Sequence, residues 1–307
     1  MLRGGFRAVN AGLERLLLSH CMNPPSLFFV FAALLVKLFG RPFPKFMAPL
    51  ALRLFLTPFS MKQHPKEKEQ MKHAKKLFLE HRNHRIAVYD WGGKGPKILL
   101  VHGWSGRGTQ MGSLALWLRD RGYHPISFDA PGHGKSSGNT CSLLAFSETI
   151  NFLQEEYHMV MAIGHSLGGA SLILSQSMGQ RFFQKATIAA PSSVADAMTQ
   201  FGKKFGWSAH LLATTMEYTE NKFNTTLESV SAASLSQTIW CDGLIIHDEN
   251  DDQVSLKNAE FIHQGWKNSK LYITHQLGHF KILHHPQTFE ALGGFFPKVG
   301  DSGIPIS

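Results

Sequence analysis

Five residues, Gly164-His165-Ser166-Leu167-Gly168, constrain this chain more than any other stretch. The apolar run 159–163 before them reads as a buried strand, and residues 169–178 after them suit a helix. The backbone must therefore pass from strand to helix within about one residue of Ser166. Such a turn forces backbone segments close together, and Gly164 and Gly168 have no Cβ to clash there. The serine hydroxyl is left exposed at a helix N-terminus, where developing negative charge is favoured. G-x-S-x-G between a strand and a helix is the pattern of a serine nucleophile. By itself it is also a common Gly/Ser turn, so its meaning depends on what else the chain supplies.

From residue 84 onward, short apolar runs alternate with helical patterns. Strands are expected at 85–89, 97–101, 125–129, 159–163, 186–190, 243–247 and 270–274. Between them, Met111, Leu114, Ala115 and Leu118 fall on one helical face, as do Leu143, Phe146, Ile150, Leu153 and Tyr157. Continuous apolar strands alternating with helices imply an α/β fold, a mostly parallel sheet covered on both faces. One interval breaks the rhythm. Residues 192–237 offer no strand but several helical stretches, with Phe201, Phe205, Trp207, Leu211, Leu212, Met216, Tyr218 and Phe223. This insertion is expected to form a helical lid over an apolar pocket. The plainer alternative is ordinary helix-packing surface.

The first third of the chain has a different texture. Residues 1–97 hold 17 Lys and Arg against 5 Asp and Glu, while residues 98–307 hold 14 against 17, so the overall charge of +9 belongs to the N-terminal third. Phe6, Val9, Leu13, Leu16 and Leu17 stand near helical spacing among Arg3, Arg7 and Arg15, a basic amphipathic helix pattern. The apolar run 27–36 stops at Lys37, short of the roughly 20 residues a bilayer span needs. A second run, 46–59, is broken by Pro49, Arg53 and Pro58. The charged stretch 62–85 reads as a solvated helix or linker. The expected organisation is a basic, apolar, helical N-terminal extension over 1–83, then a catalytic domain over 84–307. The extension either packs on that domain or makes a peripheral membrane contact through residues 1–60. Nucleic acid is not an expected partner, because no recognition motif accompanies the charge. Cys21, Cys141 and Cys241 are too few and too scattered for a disulfide framework. A cytoplasmic protein, associated with the inner face of the membrane if the extension docks there, is the expectation.

A serine hydroxyl needs a base, and the base needs an orienting acid. With this elbow the expected chain order is Ser, then Asp or Glu, then His. Asp248, Glu249, Asp251 and Asp252 crowd the loop after the strand 243–247. His279 follows Gly278 just after the last strand and is the expected base, with His275, His284 and His285 as neighbouring rivals. The oxyanion needs two backbone N–H donors. Leu167, next after the serine, supplies one. Trp104, in His102-Gly103-Trp104-Ser105 after the strand 97–101, supplies the other, with Gly103 permitting the close turn. His165, with Gly103, Gly164 and Gly168, is expected to shape the site.

Together, His102–Ser105, Asp129-Ala130-Pro131-Gly132-His133-Gly134-Lys135-Ser136, the 164–169 elbow, Asp251-x-x-Val254 and Gly278-His279 resemble the α/β-hydrolase superfamily. Within it they look like the bacterial serine hydrolase and acyltransferase branch. The resemblance covers about residues 84–297 and implies the α/β-hydrolase fold. It implies Asp251 as the acid of a Ser166–His279–Asp251 triad. It also implies that Asp129 and His133 shape a loop beside the site. Asp248 stands where the family usually has Gly. The implied activity is hydrolysis of a carboxylic ester or thioester through an acyl-enzyme. The aromatic insertion makes a small, apolar acyl substrate the expectation. No cofactor or metal is expected, because the histidines lack ligand spacing. An acyltransferase would use the same residues. A non-catalytic, membrane-associated binding protein of the same fold is the alternative of another class.

Overall fold

The computed structural model describes residues 26–179 and 181–300. The amphipathic pattern at residues 1–20 lies outside them. The described residues divide into two compact units, 64–192 with 231–300, and 26–63 with 193–230.

The larger unit is built on an eight-stranded sheet: β1 (Lys75–His81), β2 (His84–Asp90), β3 (Lys97–Val101), β4 (His124–Phe128), β5 (Met161–His165), β6 (Gln184–Ile188), β7 (Asp242–Asp248) and β8 (Ser269–Thr274). Their spatial order is β1-β2-β4-β3-β5-β6-β7-β8. Pairing is antiparallel for β1–β2 and β2–β4 and parallel from β4 through β8. The apolar runs exist because both faces of the sheet are covered. In β3, Ile98 and Leu100 feed one buried cluster, while Leu99 and Val101 feed another on the opposite face. All the strands expected from the sequence form, with ends shifted by up to two residues.

β1 lies in the stretch read as a solvated helix or linker. That stretch instead holds a short helix, Pro65–Met71, and an edge strand. β1 was hidden because an edge strand keeps charges on its open face. Leu77 and Leu79 point to the core, while Lys75, Lys76 and Glu80 stay exposed.

The helical unit joins segments far apart in sequence. The two apolar runs form the helices Leu27–Phe39 and Pro44–Phe55. The insertion contributes Val194–Lys204 and Ala209–Phe223, each started by a serine cap: Ser193 Oγ accepts the Asp196 N–H at 3.1 Å, and Ser208 Oγ accepts the Leu211 N–H at 3.1 Å. Phe29, Ala32, Ala33, Val36, Ala51, Leu54 and Leu211 form its core. The aromatic side chains of the insertion complete it. Phe205 packs edge-on to Phe29 with ring centres 5.7 Å apart, and Phe201 does the same to Phe55 at 5.5 Å. Among the described residues, no helix is long and apolar enough to cross a membrane.

Candidate active site

Parallel strands deliver their following loops to one edge of a sheet. Four such loops meet here, those after β3, β5, β7 and β8. Ser166 follows β5 and caps the helix Leu167–Ser177 with φ +53° and ψ −125°. A non-glycine residue held there stores about 1–3 kcal/mol of strain. The Ser166 N–H, bonded to the Ile188 carbonyl at 2.8 Å, helps hold it. The glycines are sterically required. A Cβ on Gly164 would lie 2.6 Å from the Gly168 backbone, and one on Gly168 would lie 2.5 Å from the His102 carbonyl oxygen. A Cβ on Gly103 would meet the Ser166 Cβ at 2.8 Å, so the loop after β3 lies directly against the serine.

His279 sits on the short helix Gly278–Lys281 after β8. Its Nε2 is 3.0 Å from Ser166 Oγ, and its Nδ1 is 2.7 Å from Asp251 Oδ2. A carboxylate only accepts, so Nδ1 carries the proton and Nε2 faces the serine hydroxyl as an acceptor. The other Asp251 oxygen accepts the N–H groups of Gln253 and Val254, both at 2.8 Å. Burial alone would push the Asp251 carboxyl up. The His279 and backbone hydrogen bonds outweigh it and hold Asp251 below its ordinary value.

The crowded acidic loop is thereby sorted by geometry. Glu249 pairs with His275 at 2.8 Å in solvent, and Asp252 is exposed. Asp248 holds the loop that carries His279. Its Oδ2 accepts the Thr274 hydroxyl at 2.7 Å and the Leu277 N–H at 3.1 Å. Its Oδ1 accepts the N–H groups of Gly278 at 2.9 Å and Asn250 at 3.1 Å. Burial opposes this charge, but the four donors win and keep its carboxyl below the usual range. A glycine here could make none of these side-chain bonds. Asp248→Ala strands those donors and frees the turn that carries His279. If His279 is the base expected from the sequence, a misplacement of about 1 Å there costs about 100-fold, and kcat/KM on an aryl ester is expected to fall by about that factor. Glu249→Ala, by contrast, should stay within about twofold, as exposed substitutions usually do. Equal activity of the two variants would remove the anchoring role of Asp248.

His165 makes a second tether. Its Nε2 donates to the backbone carbonyl of His279 at 2.9 Å, and burial pushes its pKa down to about 3, so it stays neutral. On the other side, His102 Nδ1 donates to the Gly103 carbonyl at 2.7 Å, and its Nε2 accepts the Ala130 N–H at 3.0 Å. His102 is buried and held well below its ordinary pKa by desolvation. It links the loops after β3 and β4. Asp129 adds to that link by accepting the Gly108 N–H at 2.7 Å, the Lys135 N–H at 2.7 Å and the Tyr89 hydroxyl at 2.9 Å. Further along the β3 loop, Arg107 Nε donates to buried Glu67 at 2.7 Å, and the Thr109 hydroxyl donates to the same carboxylate. Among the described residues, no acceptor is found for the N–H groups of Trp104 and Leu167. Beside His279, Phe280 is 58% exposed, with its ring centre 5.2 Å away.

Solved structures of low sequence identity share this fold. An esterase from Pyrococcus furiosus is 16% identical, with a TM-score of 0.60, covering 78% of this chain and 96% of its own. An esterase from Exiguobacterium antarcticum is 18% identical, with a TM-score of 0.56, covering 72% and 99%. The thioesterase domain from the curacin biosynthetic pathway is 15% identical, with a TM-score of 0.54, covering 71% and 98%. No curated protein matches the chain by sequence. The sequence model of the alpha/beta hydrolase family matches residues 98–291, more than half of the 307. With that match and this sheet, the chain is an enzyme of the alpha/beta hydrolase family.

Proposed function

We propose that this enzyme is a serine hydrolase that cleaves a carboxylic ester or thioester through an acyl-enzyme. The observation that carries the reading is the continuous hydrogen-bonded line from Asp251 through His279 to Ser166. His279 Nε2 takes the Ser166 proton as Oγ attacks the carbonyl carbon. The carbonyl oxygen, now negative, is met by the N–H groups of Trp104 and Leu167, each such donor lowering the barrier by about 3 kcal/mol. The bond to the leaving oxygen or sulfur then breaks, and His279 returns the proton to it. Water repeats the sequence on the acyl-serine and frees the acid. Asp251 stays ionised throughout and stabilises the imidazolium that forms twice.

The acyl group is apolar in this reading. Support comes from the exposed Phe280 ring beside His279, and from the partly buried Trp104 ring packed edge-on to His133 at 5.2 Å. A series of aryl esters from acetyl to dodecanoyl tests it. Each methylene that becomes buried is worth about 0.8 kcal/mol, so kcat/KM should rise by about fourfold per carbon until the pocket is full. A flat series would contradict an apolar acyl site. The same assay with an alcohol present separates water from an acceptor. Free acid as the main product supports hydrolysis, and ester product in excess of acid would make the enzyme an acyltransferase.

The N-terminal region, residues 1–60, is also proposed to make a peripheral membrane contact. Its excess of cations and the exposed apolar side chains of its described helices support this.

A further inference from the structure

The helix Leu27–Phe39 is apolar at every position except Lys37. One face, Phe29, Ala32, Ala33 and Val36, is spent on the core of the helical unit. The spacing i, i+3, i+4, i+7 is that of a single buried stripe. The opposite stripe is equally apolar and stands open, with Leu27 89%, Phe31 62% and Leu38 67% exposed. Phe28 and Phe39 flank it, and Phe46 on the next helix is 79% exposed. Scattered exposed apolar residues are ordinary, but this many on two consecutive helices mark an interaction surface.

The charges around the face identify its partner. Residues 26–66 contain Lys37, Arg41, Lys45, Arg53, Lys62 and Lys66 and no Asp or Glu. Arg41, Lys45 and Arg53 are exposed, and the Arg53 guanidinium lies 4.9 Å from the centre of the Phe28 ring. Among the described residues of the helical unit, the carboxylates, Asp196, Glu217, Glu220 and Glu228, all belong to the insertion. Pairing with a second copy would set like cations against each other across a two-fold axis. An anionic bilayer neutralises them and takes up the phenylalanines and leucines between its headgroups.

We infer that the outer stripe of the helix Leu27–Phe39, together with Phe46, Arg41 and Lys45, is a docking surface for an anionic lipid bilayer. This deepens the peripheral-membrane reading above and rests on it. The helices lie in the interface plane with the phenylalanines inserted and the cations among the phosphates. Because Phe201 and Phe205 of the insertion pack on these same helices, lipid would seat the insertion along with the N-terminal helices.

Flotation of the full-length protein with vesicles of phosphatidylglycerol and phosphatidylcholine in equal parts tests the surface. Phe31→Glu with Phe46→Glu changes two exposed side chains and should leave the fold intact, which an unchanged thermal midpoint checks. Withdrawing each phenylalanine from lipid should weaken partitioning by about tenfold or more. Arg41→Glu with Lys45→Glu should cost about fivefold per charge on these vesicles and little on pure phosphatidylcholine. A wild type that does not float overturns both the membrane reading and this surface. A wild type that floats no better than the Phe31→Glu, Phe46→Glu variant leaves the membrane reading standing, assigns the contact to residues 1–25, and overturns this surface. A wild-type dimer that the same variant converts to monomer would show that a second copy occupies the face, and overturns it too.

Discussion

Ser166→Ala is expected to lower kcat on an aryl ester by about 10⁶-fold, about 8 kcal/mol of barrier. The size follows from the role we propose for the hydroxyl, as nucleophile of an acyl-enzyme mechanism. Without Oγ no acyl-enzyme forms, and His279 and Asp251 have nothing to activate in its place. What remains is binding plus the N–H groups of Trp104 and Leu167, which leaves a residual rate above uncatalysed hydrolysis. The substitution removes one atom beside Gly103 and leaves the helix start at Leu167 unchanged, so the thermal midpoint should stay near that of the wild type. Steady-state hydrolysis with the purified variant reads the effect directly. Turnover within about tenfold of wild type would mean that the chemistry runs through another group.

Asp251→Asn is expected to cost about 10⁴-fold in kcat, with the fold retained. The mechanism of loss is a change of tautomer. Asp251 Oδ1 accepts two backbone N–H groups, from Gln253 and Val254. An asparagine has a single oxygen, and those two donors claim it. Its NH₂ group then faces His279 Nδ1, which must accept, so the ring proton moves to Nε2 and the base toward Ser166 is lost. Asp252→Asn provides the contrast, because Asp252 is exposed, and should change kcat by less than twofold. Activity measured across both variants distinguishes the acid from its neighbour. A large loss in Asp252→Asn with little in Asp251→Asn would reverse the assignment.

Local signals carried much of this architecture. Buried parallel strands announce themselves as short apolar runs, and the strain at Ser166 demands glycines at fixed distances, so both can be read without coordinates. The chain order of serine, acidic loop and histidine likewise narrows the candidates. Choosing among four carboxylates was beyond residue-level reading, because all four share one loop and only the backbone path decides which one reaches His279. The resemblance pointed to Asp251, and the same resemblance marked Asp248 as unusual. Its use, as acceptor for the Thr274 hydroxyl and three N–H groups, needs the register of β7 against β8 that sets Asp248 opposite Thr274. Glu67 gave no signal at all. It sits in a run of lysines and glutamates that looks solvated, yet it is buried on Arg107 and Thr109. The helical unit was hidden for a related reason. Phe29 and Phe205 each lie on a locally apolar helix, and nothing in either segment names a partner some 180 residues away.

The central claim is that Ser166 is the nucleophile of a covalent mechanism. Reaction with a fluorophosphonate, followed by proteolysis and mass spectrometry, tests it most directly, because the reagent stays on whichever serine the base activates. The expected result is a single adduct on the peptide containing Gly164-His165-Ser166-Leu167-Gly168, absent from Ser166→Ala and formed about 10⁴-fold more slowly in Asp251→Asn. An unlabelled wild-type protein, or an adduct on a different serine, would contradict it.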